Sequence, residues 1–122
     1  MIRHIVMWNF KDEYEGMKKP EIMEKVKSGL SALKGKVPVV RDLEVGQSVT
    51  SGDMHYDMAL IVTVDSVNDL PAYAEHPEHV KVRRFIGEVR TARVTADGIF
   101  FTALQVITDS GAKTSETHLS YP

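Results

Sequence analysis

The chain of 122 residues contains no cysteine. Disulfide staples, thiolate nucleophiles and cysteine-ligated metal centres are thereby excluded. The same absence fits a reducing compartment, and a cytoplasmic location is expected. A charge excess of either sign is also missing, since 15 basic and 17 acidic residues leave a formal net charge of −2. Nucleic acid, which calls for a basic face, is not an expected partner. The densest basic cluster, "KVRR" at 81–84, lies in a helical stretch and reads as a solvated helix face. No apolar run approaches the roughly 20 residues that span a membrane. The opening "MIRHIVMWNF" lacks the basic leader and small-residue cleavage site of a signal peptide. No membrane partner is expected either. Phosphate loops, nucleophile elbows and a Ser-His-Asp arrangement find no match. Internal repeats and low-complexity tracts are absent, and the length favours one domain with a core of its own.

What is present is alternation. Along residues 2–10, Ile2, His4, Val6, Trp8 and Phe10 share one face of a strand, and Ile5 and Met7 occupy the other. Both faces are partly apolar, as in a strand covered on two sides. After the polar "KDEYEGMKKP", Ile22, Val26, Leu30 and Leu33 form a helical stripe that starts at Pro20 and ends near Gly35. Strands are expected over 39–49 and 56–64, the latter again apolar on both sides. "DSVNDLPAY" opens a helix, with Ser66 or Asn68 as its cap and Pro71 in its first turn. His76-Pro77 interrupts it, and a second helical segment restarts at Pro77 with Val82, Phe85, Ile86 and Val89 inward. "TARVTA" at 91–96 reads as a further strand.

This order, βαββαβ, is the split pattern of an α+β ferredoxin-like antiparallel sheet. A four-stranded sheet with helices on one side leaves its other side open. Because that side carries Val, Ile, Leu and Met here, a homodimer paired through the sheets is expected. After Asp97-Gly98 comes "IFFTALQVI" (99–107), which reads as an added strand, followed by a polar tail that reads as loosely attached.

The chemistry-bearing residues concentrate in "AYAEHPEHVKV" (72–82). His79 stands in register with Val82 and Ile86, so its side chain points inward, and His4 shares a strand face with Val6 and Trp8. An inward histidine needs a partner, which an ordinary core contact can supply. In an unbroken helix Tyr73 and His79 would lie about 240° apart around the axis. Broken at Pro77, the two segments can bring both side chains to one pocket near His4. His76 shapes the break or caps the restart. The spacing His76-x-x-His79, flanked by Glu75 and Glu78, lacks third and fourth ligands at known spacing, so no metal and no cofactor is expected. Trp8 reads as core, and Asp57 in "GDMHYD" as a loop residue suited to structural hydrogen bonds.

The segments "RHIVMWNFKD", "RDLEVGQS", "YDMALIVTVDS" and "LPAYAEHPEHV", in this order, resemble the stress-responsive A/B barrel domain (Dabb) family. The resemblance covers about residues 1–97, which leaves 98–122 as a C-terminal extension. It implies ferredoxin-like subunits that pair into a dimeric α+β barrel. The chain is similar in one further respect to the plant polyketide-cyclase type of member, whose catalytic tyrosine and histidine match Tyr73 and His79, with a first-strand histidine matching His4. Three readings remain open on sequence. One is a cofactor-free acid–base enzyme, of cyclase or lyase type, acting on a small apolar or carbonyl-containing molecule. Another is a non-catalytic, stress-associated or ligand-holding barrel. The third is a cofactor-independent monooxygenase. Sequence does not decide whether the chain is an enzyme. A sizeable cavity beside His79 would favour the first.

Overall fold

In the computed structural model the described residues are 1–111, with side chains described through residue 108. Strand β1 (Ile2–Phe10) is an inner member of a four-stranded sheet. A two-residue hairpin, β2 (Glu13–Tyr14) and β3 (Met17–Lys18), leads into helix α1 (Lys19–Ser31) and the short α2 (Leu33–Lys36). Strands β4 (Asp42–Gln47) and β5 (Met58–Val64) follow, then α3 (Asp69–Ala74), α4 (Pro77–Val89) and β6 (Arg90–Gly98). The sheet order is β4-β5-β1-β6 and every pairing is antiparallel, the ferredoxin-like arrangement expected.

Register puts the even residues of β1 on the helix side. Val6 pairs Leu60 and Trp8 pairs Met58. These meet Ile22, Val26 and Leu30 from α1 and Ile86 and Val89 from α4, all buried. At roughly 25 cal/mol per Å², burying such side chains is the main favourable term of the fold. The two helices approach closely at Gly29, where a Cβ would stand 3.3 Å from Val82 Cγ2. Asp57 does make structural hydrogen bonds: its carboxylate accepts from the Phe10 N–H at 2.8 Å and faces Lys19 Nζ at 3.2 Å.

The sheet's opposite face carries Ile5, Met7, Ile61 and Val94, and Met7 and Val94, cross-strand partners, are 37% and 40% exposed. A single chain leaves this apolar surface open.

Four local expectations are corrected. The segment 11–20 is not simply a polar lead-in: Glu15 and Gly16, with φ of 48° and 83°, form the left-handed turn of the small hairpin. Gly35 does not end the helical run, because α2 continues through it to Lys36. No side chain caps α3 at Asn68; instead the Asp69 carboxylate accepts from Ser66 N–H. The run 99–107 is not a strand. Residues 99–102 have no regular structure and α5 (Ala103–Gly111) is a helix. Its start is a reciprocal capping box, in which Gln105 N–H donates to Thr102 Oγ1 and Thr102 N–H to Gln105 Oε1. Phe100, ahead of it, lies under the Arg3 guanidinium at 5.5 Å. The polar tail beyond 111 lies outside the described residues.

Candidate functional site

The break at Pro77 rearranges the hydrogen bonds of one helical turn, and that rearrangement builds the site. In a continuous helix the Glu78 N–H would donate to the Ala74 carbonyl. Here His76 has an extended backbone, and its Nδ1 accepts from Glu78 N–H at 3.1 Å as the N-cap of α4. Pro77 has no N–H to donate. The Ala74 carbonyl is left to other donors, and His79 Nδ1 takes it at 2.9 Å, with Arg83 Nη1 beyond at 3.3 Å. A carbonyl only accepts, so His79 Nδ1 carries the hydrogen. In the neutral ring Nε2 is then the bare, basic nitrogen.

Tyr73 and His79, from opposite sides of the break, have ring centroids 4.3 Å apart. His4 meets Tyr73 edge-on at 5.9 Å. The structure therefore brings all three sequence-nominated residues together. They line a cavity of about 440 Å³ between the helices and the β1/β6 side of the sheet. Val6, Leu30, Leu60, Leu70 and Ile86 supply apolar wall, and Arg83, Arg90, Arg93 and Asp97 supply charge. His76 faces its own cap, and no group of three or more His, Asp or Glu side chains suited to a metal occurs among the described residues.

Electrostatics separate the titratable members. Burial pushes the Tyr73 hydroxyl far above its ordinary value, with the Arg93 charge opposing, so it stays protonated as a donor. Burial also lowers His79. The Ala74 hydrogen bond works against that shift, while the charges of Arg83, His4 and Arg93 add to it. His79 is neutral at pH 7 and can accept a proton. His4 is oriented by the Asp97 carboxylate, which engages its Nδ1.

Two features escape sequence reasoning. Trp8 is buried, as a core residue should be, yet its indole Nε1 has no hydrogen-bond partner among the described residues, and neither has the Tyr73 hydroxyl. An unmade buried hydrogen bond costs about 1–3 kcal/mol. Both residues line the cavity, and both carry a buried donor without a partner at its wall. Sequence shows only that Trp8 shares a strand face with His4, not that its N–H is left unpartnered. The second feature is Arg83: the "KVRR" run is a solvated face as expected, with Lys81, Arg83 and Arg84 exposed, and Arg83 also lines the cavity.

The model of the stress-responsive A/B barrel domain matches residues 2–100. The chain belongs to that family. An uncharacterized protein of Streptomyces coelicolor is 32% identical over 79 residues, 65% of this chain and 79% of the relative. A dimeric protein of unknown function with a ferredoxin-like fold from Bacteroides fragilis is 31% identical, with a TM-score of 0.72 over 81% of this chain and 95% of that one. The hydroxynitrile lyase of Passiflora edulis shares the fold at 15% identity, with a TM-score of 0.68 over 82% and 93% of the two chains. Among the described residues, no helix of this Dabb chain is long and apolar enough to cross a membrane.

Proposed function

We propose that this Dabb protein is a homodimeric, cofactor-free acid–base catalyst that binds a small, largely apolar carbonyl compound beside His79. One observation carries the reading: a neutral histidine with its Nε2 bare and a buried tyrosine with its hydroxyl unpartnered share one cavity. In the proposed step His79 Nε2 removes a proton from the carbon next to the carbonyl. Negative charge grows on the carbonyl oxygen, where the Tyr73 O–H and Trp8 Nε1–H donate. In a cyclisation the α-carbon then bonds to a second carbonyl carbon of the same molecule, whose π pair moves to its oxygen. That oxygen takes the proton from His79. In a lyase reaction the bond from the β-carbon to a leaving group breaks, a C=C bond forms, and the departing group takes the proton. A positioned base contributes typically about 10²–10⁴-fold and an oxyanion donor about 10²–10³-fold. His4, held by Asp97, orients the bound molecule. The lyase with this fold supports only the capacity of the architecture.

The test works with a substrate panel, whatever the natural compound. Exchange of α-protons for deuterium is followed by NMR for medium-chain ketones, keto acids and 3-oxo esters in D₂O. The wild-type chain should accelerate exchange for some of them, His79→Ala should remove the acceleration, and Tyr73→Phe should lower rate more than binding. Probes that bind the cavity but exchange no faster than in buffer would leave a ligand-holding barrel and remove the enzyme.

A further inference from the structure

Three arginines line one largely apolar cavity, and the backbone is built to put them there. Arg83 follows His79 by one turn of α4 and Gly87 lies one turn further, while Arg90, with extended backbone, closes the helix and opens β6. Gly87 presents no side chain between the two arginines, and a Cβ built on it would meet nothing within 4 Å. Arg93 comes from β6 and requires an irregularity. In a regular strand, residues 90 and 93 point to opposite faces. Here the register with β1 shifts between Asn9 and Phe10: Phe10 pairs Arg90, Asn9 pairs Ala92 and Trp8 pairs Arg93. Thr91 is the extra residue of a bulge, and it brings Arg90 and Arg93 to the side of Trp8 and Phe10.

Positive charge is in excess at this wall, three arginines against one carboxylate among the lining residues. Asp97, the carboxylate of the cavity wall, is engaged by His4. Among the described residues none of the three arginines makes an ion pair, and Arg83 bonds only the Ala74 carbonyl. All three arginines are exposed, so solvent screens their repulsion, and their combined field at the mouth of an apolar cavity favours an anion there. A guanidinium fork matches a carboxylate in bidentate geometry.

We infer that the molecule bound in this cavity carries a carboxylate, received by Arg93 with Arg83 and Arg90, while its apolar body lies along Val6, Leu60 and Ile86. The inference rests on the cavity being the binding site. It narrows the substrate class to keto acids and other oxo carboxylates.

Matched eight-carbon probes test it on the full-length chain: octanoate, 1-octanol and octyl phosphate, titrated by calorimetry, with the His79 imidazole signals reporting where each binds. Octanoate should bind at least about tenfold more tightly than octanol. Arg93→Gln should remove that preference, and Arg93→Lys should keep part of it, which separates lost charge from a damaged fold. Equal affinity for octanoate and octanol, both shifting His79, would overturn the carboxylate while leaving the cavity as the site. A preference for octyl phosphate over octanoate would also overturn it. If no probe moves the His79 signals, the cavity reading itself fails and the inference with it.

Discussion

His79 is worth following as a single residue because its neighbours impose two opposite demands. The Ala74 carbonyl favours the protonated ring, while burial and the facing charges disfavour it, and burial dominates. The facing groups are Tyr73 from α3, His4 from β1, Arg83 from its own helix and Arg93 from β6. The sign of the linkage follows from the lowered folded value. Below the ordinary histidine pKa of about 6.5 the unfolded chain takes up a proton that the folded chain refuses. The stabilisation is therefore complete above that pH and is lost as pH falls through the folded value. Denaturant unfolding measured from neutral to mildly acidic pH should show wild-type stability declining more steeply than that of His79→Gln. Parallel curves would mean that His79 titrates as it does in water. At the same scale, sequence exposes Tyr73, His79 and His4 by residue type and by the proline between two of them. It hides the roles of Trp8 and Arg93, because an unpartnered indole N–H and a bulge at Thr91 exist only once strands are paired.

Among the elements, the α3–α4 break is the one the site depends on. His76 holds it open by occupying Glu78 N–H, and without that cap the amide is free to compete for the Ala74 carbonyl. His76→Ala should cost about 0.5–2 kcal/mol of stability, the usual value of an N-cap. It should also slow any turnover by loosening His79. His76→Asp, another capping side chain, should restore both. A His76→Ala variant of unchanged stability would show that the histidine does not cap the helix. Most elements are legible from periodicity: β1, α1, β5 and the interrupted α3–α4 pair all carry stripes of the correct period. The hairpin at Glu15-Gly16 is not, since Glu lacks the left-handed preference of Asn or Asp at a turn. The run 99–107 reads as a strand but folds as a helix because its apolar residues satisfy both periods. The Thr102-x-x-Gln105 signature is the deciding local cue.

At the scale of the whole molecule, one chain is an incomplete object. The face bearing Ile5, Met7, Ile61 and Val94 has no cover in a single subunit, and the B. fragilis relative with the same fold is dimeric. An interface of about 800 Å² per partner is the usual size for a stable pair. Sedimentation should give a dimer of the 13.7 kDa chain, and Met7→Glu or Val94→Glu should yield monomers that keep the helix-side core. A wild-type monomer at all concentrations would contradict sheet-to-sheet pairing. This face is visible in sequence as strands apolar on both sides, whereas the depth of the cavity on the other face is not. Cavity volume depends on how far α3 and α4 stand off the sheet, which no periodicity encodes.

The central claim is that the broken helix presents His79 Nε2 as a free base to the cavity. Long-range ¹H–¹⁵N NMR of the imidazole reads that directly, because the two ring nitrogens differ in shift according to which one bears hydrogen. At neutral pH the account predicts hydrogen on Nδ1, a bare Nε2, and a titration midpoint below the ordinary value of about 6.5. A ring with hydrogen on Nε2, or one titrating at or above that value, would contradict it.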